Sequence, residues 1–255
     1  MTKCANVAGR LLCVSVIAAC LAGCVAPQSG GASALTETDA IGHISHVRRL
    51  LRAACGRLKA VNEGAADHAA LMTGAGSDTA DALERWKGFL QGCSGSAPQA
   101  YAAHPRWVAA TAEISEGIAE MLKQIEQDNP DMAFKACGAA CGKFVALNEQ
   151  ARVRRTSDVL FSFRKAAKPL AEPVAKGNLD AVSAKVRQLT EIRDKAMTEP
   201  VGGTGAAEQK AQALKAFSEA VDVFASAVRN SDEEALEAPY RAMMSAMEAA
   251  YDLFL

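Results

Sequence analysis

Residues 114–145 read ISEGIAEMLKQIEQDNPDMAFKACGAACGKFV. Ile114, Ile118, Met121, Leu122 and Ile125 recur every three or four residues, the spacing that lines side chains along one face of an α-helix. Asp128-Asn129-Pro130 interrupts the run, because proline has no N–H to donate and turns the preceding residue away from helix. Phe134, Cys137, Cys141, Phe144 and Val145 then resume the same period. The stretch predicts a helix, a tight turn and a second helix lying back on the first.

The same period extends in both directions. Upstream, Val47, Leu50, Leu51, Ala54, Leu58 and Val61 form one stripe, and Leu83, Trp86 and Leu90 a shorter one. Gly74-Ala75-Gly76 and residues 92–98 carry breakers and are expected to be the turns around the second stripe. Downstream, Val159, Phe163, Ala166, Leu170 and Val174 are followed by Val182, Val186, Leu189 and Ile192. Leu214, Phe217, Val221, Phe224 and Val228 come next, then Leu236, Tyr240, Met243, Met247, Ala250 and Phe254. Gly177-Asn178, residues 200–205 and Asn230-Ser231-Asp232 separate these stripes. The Gly202-Gly203-Thr204-Gly205 stretch has no strand before it and reads as a turn, not a phosphate loop.

Four stripes are thus followed by four more, and the halves match in detail. Ser115-Glu116-Gly117-Ile118 corresponds to Ser218-Glu219-Ala220-Val221, each leading to an apolar stripe and an Asn/Asp turn. The expected architecture is all-α: two tandem antiparallel four-helix bundles over residues 39–151 and 152–255. Between Asp131 and Pro169 only Gly138 and Gly142 interrupt good helix formers, so the last helix of the first half is expected to run on into the second.

Half of the residues are apolar and only 5% aromatic, a balance that suits closely packed helices. A net charge of −1 argues against a nucleic-acid partner. Arg48, Arg49 and Arg52, like Arg152, Arg154 and Arg155, lack interleaved stacking aromatics and are expected on solvated helix faces.

Lys3 and Arg10 precede an apolar run over residues 11–20, and Leu21-Ala22-Gly23-Cys24 follows. A positive start, a short apolar core and small residues at a cut site describe an export signal over residues 1–23, too short to span a bilayer permanently. Residues 24–38, rich in Gly, Ser, Ala and Thr, read as a flexible tether. The four residues ending at Cys24 resemble the lipobox of bacterial lipoproteins. That resemblance implies cleavage before Cys24 and acyl chains on it, hence a membrane as a partner. Val25 and Ala26, with no adjacent Asp, imply by the same resemblance the periplasmic face of the outer membrane.

Ala133-Phe134-Lys135-Ala136-Cys137-Gly138-Ala139-Ala140-Cys141 resembles the last helix of cytochrome c′ on the approach to its haem-binding Cys-x-x-Cys-His. Each half looks like one such bundle. Here the second haem cysteine falls on Phe144 and the histidine on Val145. In the second half Met247, Ala250 and Tyr251 stand at the three attachment positions. Covalent haem needs two thiols and an adjacent histidine, so neither half has the chemistry for haem c.

An exported chain permits disulfides, and Cys55, Cys93, Cys137 and Cys141 remain after Cys24. Cys137 and Cys141 share one helix face with Cys55 approaching from the first helix; the expectation is a pairing of Cys55 with Cys137 or Cys141, or apolar packing, ahead of a redox or soft-metal site. Met243, Met244 and Met247 read as core filler before copper ligands, and His43 and His46, one turn apart, as solvated histidines. His68 and His104 fall near loops and carry no motif. No catalytic residue, metal set or cofactor is assigned. The functional expectation is a non-catalytic, membrane-anchored module that binds a protein or small ligand, with electron transfer or metal or haem carriage by a non-covalent cofactor in the first bundle as the alternative.

Overall fold

Helix ends are set by local chemistry that the sequence announces. Thr36 accepts a hydrogen bond from the Asp39 N–H and starts α1 (Glu37–Asn62). Gly64, at φ +83°, reverses the chain into α2 (His68–Gly92). Ser94 and Gly95, both at positive φ, close α2, and the path through Pro98 and Tyr101 leads to α3 (Trp107–Glu126). Asn129 caps α4 (Pro130–Ala151) by accepting from Met132, with Pro130 at its first position, where the missing N–H costs nothing. α5 (Thr156–Ala167) passes through a 3₁₀ turn at Lys168–Leu170 into the short α6 (Ala171–Ala175). α7 (Leu179–Thr198), α8 (Ala207–Arg229) and α9 (Glu237–Phe254) complete the order.

This computed structural model describes residues 36–198, 206–230 and 236–255, and among them the chain is all-helical, without strand. The export signal, Cys24, residues 25–35, the Gly202–Gly205 turn and Ser231-Asp232 lie outside the described residues.

α1 packs on α2 and α4, α2 on α3, and α3 on α4. One apolar core fills the space between them, with Leu51, Leu58, Trp86, Ile114, Ile118 and Phe144 among its fully buried members. In the same cyclic order α5 packs on α7 and α9, α7 on α8, and α8 on α9. A second, separate core there includes Phe163, Phe217, Phe224, Met243 and Met247. The two described sets belong to one compact unit.

Three expectations are corrected. Gly74-Ala75-Gly76 is no turn: it lies inside α2, where Ala75 is buried and a Cβ on Gly74 would stand 2.7 Å from the Arg57 side chain. These small residues let α2 approach α1, with Arg57 folded across Gly74 onto Asp78. α4 does not run on into the second half. It stops at Arg152, whose left-handed φ of 60° turns the chain, with the Val153 N–H closing back on Asn148 O at 2.8 Å. The arginine clusters are not all solvated: Arg48 is 1% exposed and Arg155 half-buried, both drawn into the contact between the halves.

Candidate functional site

The contact between the halves is built around charge. Arg48, in α1 beside Val47 and Leu51, points into the protein because it falls on the buried side of its helix. Its Nη1 donates to Asp158 Oδ1 of α5 at 2.5 Å, and the two side chains are 0% and 7% exposed. Asp158 Oδ2 accepts from Asn148 Nδ2 at 2.7 Å, and Asn148 Oδ1 accepts from the Tyr101 hydroxyl at 2.7 Å. Arg155 donates to Ser45 Oγ at 2.6 Å. Burial opposes the Arg48 charge, but Asp158, together with Tyr251 and Cys141 behind it, offsets that cost and holds the guanidinium protonated. Nearer the surface, Arg52 reaches both Glu248 and Asp252 of α9, and Arg164 of α5 meets Glu248 at 3.2 Å.

Next to this network a cleft of about 680 Å³ opens between α4 and α5. Gly138, Ala139, Gly142 and Ala146 line it along α4, and Phe161, Arg164 and Lys165 along α5, with Lys168 just past its end. A Cβ placed on Gly138 or Gly142 would meet nothing within 4 Å, so both glycines face open space. Phe134 and Tyr251 add aromatic wall, with the Lys168 ammonium 5.1 Å above the Phe134 ring. Six basic side chains and one acid, Asp131, line the cleft of a chain whose net charge is −1. A second cleft of about 800 Å³ adjoins it on the α1–α9 side, sharing Arg52, Phe134, Arg164 and Lys168. The volume suits a small organic ligand.

Cys55 and Cys137 are joined in a disulfide, their Cα atoms 6.2 Å apart. Cys141, one turn on, is a free buried thiol, and burial raises its pKa so that it stays protonated. Cys93 is free and half-buried at the end of α2. Met243 and Met247 are fully buried, while Met244 reaches the second cleft. His43 stacks against Phe89 with ring centres 5.7 Å apart, and half-buried His46 is held below its ordinary pKa by burial and by Arg85 and Arg49. His68 pairs with Asp128 at 2.9 Å. Buried His104 accepts the Arg106 N–H on Nδ1, leaving Nε2 without a partner. Among the described residues, no three His, Cys, Asp or Glu side chains come together as metal ligands.

The residues that the cytochrome c′ resemblance would set at its haem-attachment positions are packed side chains. Phe144 is fully buried with its ring edge-on to Trp86 at 5.1 Å, and Val145 is 6% exposed. Met247, Ala250 and Tyr251 are likewise buried, the last with its hydroxyl pKa pushed up to about 12, chiefly by burial. These residues do not fit covalent haem, for want of a thiol pair and an axial histidine.

The cleft itself was not legible in the sequence. Gly138 and Gly142 appeared only as weak points in a helix, and nothing in the sequence singled out Lys165 or Lys168. Their one advance signal is two glycines a turn apart in an otherwise strong helix, each costing about 1 kcal/mol against alanine. Among the described residues no helix is long and apolar enough to cross a membrane. No protein-family model, curated protein or solved structure matches this chain.

Proposed function

We propose that this chain is a membrane-tethered, non-catalytic binding module: a lipoprotein, anchored at Cys24 on the periplasmic face of the outer membrane, whose two tandem four-helix bundles hold a small ligand between them. The observation that carries the binding role is the cleft between α4 and α5, roomy and aromatic-walled, with two mid-helix glycines facing its empty space.

A duplicated bundle accounts for the matching helix order of the two halves, and for a detail inside them. Trp86 of α2 donates to Thr111 O at 3.3 Å and Ser115 Oγ at 3.0 Å. In the second half Arg193 of α7 likewise donates to a serine hydroxyl, Ser218 Oγ at 3.0 Å, and also to Ser218 O at 3.2 Å and Asp222 Oδ1 at 2.8 Å. Ser115 and Ser218 are the serines paired by the internal sequence match. A cytochrome c′-like ancestry with lost haem attachment accounts for the apolar residues at the attachment positions. The sequence from Lys3 to Cys24 supports the anchor, since more than one acyl chain is what stable attachment requires.

Labelling of the expressed full chain with radioactive palmitate tests the tether. Label in the membrane fraction, lost on Cys24→Ser, is the expected result; an unlabelled chain released as a soluble periplasmic protein contradicts the anchor.

A further inference from the structure

We propose that the cleft between α4 and α5 binds an anionic amphiphile, an apolar chain or flat ring carrying one acidic head group; this rests on reading that cleft as the ligand site. The interior of the cleft is apolar. Gly138 and Gly142 leave the α4 backbone uncovered, so an extended chain or a ring lies directly against the helix. Phe134, Phe161 and Tyr251 provide flat walls on either side.

The rim supplies the sign of the head group. Arg52 and Arg164 are already committed to Glu248 and Asp252, and Lys143 donates to Glu113 O at 2.7 Å. Lys135, Lys165 and Lys168 are exposed at the mouth and make no ion pair among the described residues. Lys168 lies over an aromatic wall, at the border between apolar interior and water, where an amphiphile places its charge. Among the described residues Asp131 is the sole carboxylate on the lining, so a cationic head group would meet mainly like charge. Three exposed ammonium groups on the lining favour an anionic head group over an uncharged one. The protonated Cys141 adds no charge of its own.

The test uses the full chain in phosphatidylcholine vesicles and a dodecanoate bearing a terminal diazirine. Illumination is expected to label the chain saturably, with cross-links in the segments of α4 and α5 that line the cleft. Unlabelled dodecanoate should compete, while dodecanol and dodecyltrimethylammonium at equal bilayer concentration should not. Gly142→Leu, which fills open space, should cut labelling at least tenfold with the far-UV circular dichroism unchanged. Replacing Lys135, Lys165 and Lys168 together by Gln should weaken it by a similar factor, which keeps the test open if Gly142→Leu fails to fold. Equal competition by dodecanol overturns the acidic head group and leaves the cleft as a binding site. Cross-links scattered over the helices and indifferent to both variants overturn the cleft itself, and the binding role with it.

Discussion

Gly142 sits mid-helix where alanine would cost less conformational entropy and nothing sterically forbids it. Gly142→Ala is therefore expected to raise stability by about 0.5–1 kcal/mol, measured by urea unfolding, because its vacancy serves the cleft and not the fold. A drop in stability would mean that the glycine is structural. His104 makes the opposite kind of prediction. Its Nδ1 already accepts a backbone N–H, and burial and Arg106 hold its pKa below the ordinary 6.5. The unfolded chain takes up a proton near pH 6.5 that the folded chain refuses, so this contribution to stability is present above that pH and is lost as pH falls toward the folded value. His104→Gln should flatten the decline in unfolding midpoint between pH 7 and 5, with His46 supplying what slope remains. Neither behaviour is legible in sequence, since both depend on which side of a side chain is empty or filled.

At the scale of the helix, apolar periodicity and turn residues located most elements, and glycine misled where it packs instead of turning. Gly74 and Gly76 punctuate α2 in sequence, yet they bring it close to Arg57 of α1 and Ile125 of α3. A breaker inside an apolar stripe and a close-approach residue have the same letter. The reverse happened after α4, where no breaker marks the end. Arg152 takes a left-handed conformation that costs an L-residue about 1–2 kcal/mol. Tertiary contacts supply the compensation: Asn148, one turn back, is tied to Tyr101 and Asp158, so the chain must turn here to bring α5 alongside. Arg152→Gly should accordingly stabilise the protein by roughly 1 kcal/mol, read as a higher midpoint in thermal unfolding. Pro130, by contrast, announced its helix start correctly because its effect is confined to its own backbone.

Among the described residues, two apolar cores are linked by a few buried charges. The repeat that suggests two halves was readable from stripes, whereas the arginines joining them looked like surface. Arg48 is internal because a carboxylate far along the chain meets it, and Asp158 lies 110 residues away. Removing Asp158 alone leaves a buried guanidinium without its counter-charge, so Asp158→Ala should cost about 3–5 kcal/mol. Arg48→Met combined with Asp158→Leu should cost far less, because a well-packed apolar pair replaces a buried ion pair with little net loss. Equal losses in the single and double variants, compared by denaturant titration, would mean that the charges do not act as a pair.

Phe144 and Tyr251 are buried, and neither offers a thiol or an iron ligand for covalent haem, so the proposed binding role predicts a chain without bound haem. The absorbance spectrum of full-length protein purified from haem-replete membranes addresses this directly. We predict no band near 400 nm and less than stoichiometric iron and copper; a Soret band that persists through purification would contradict the account.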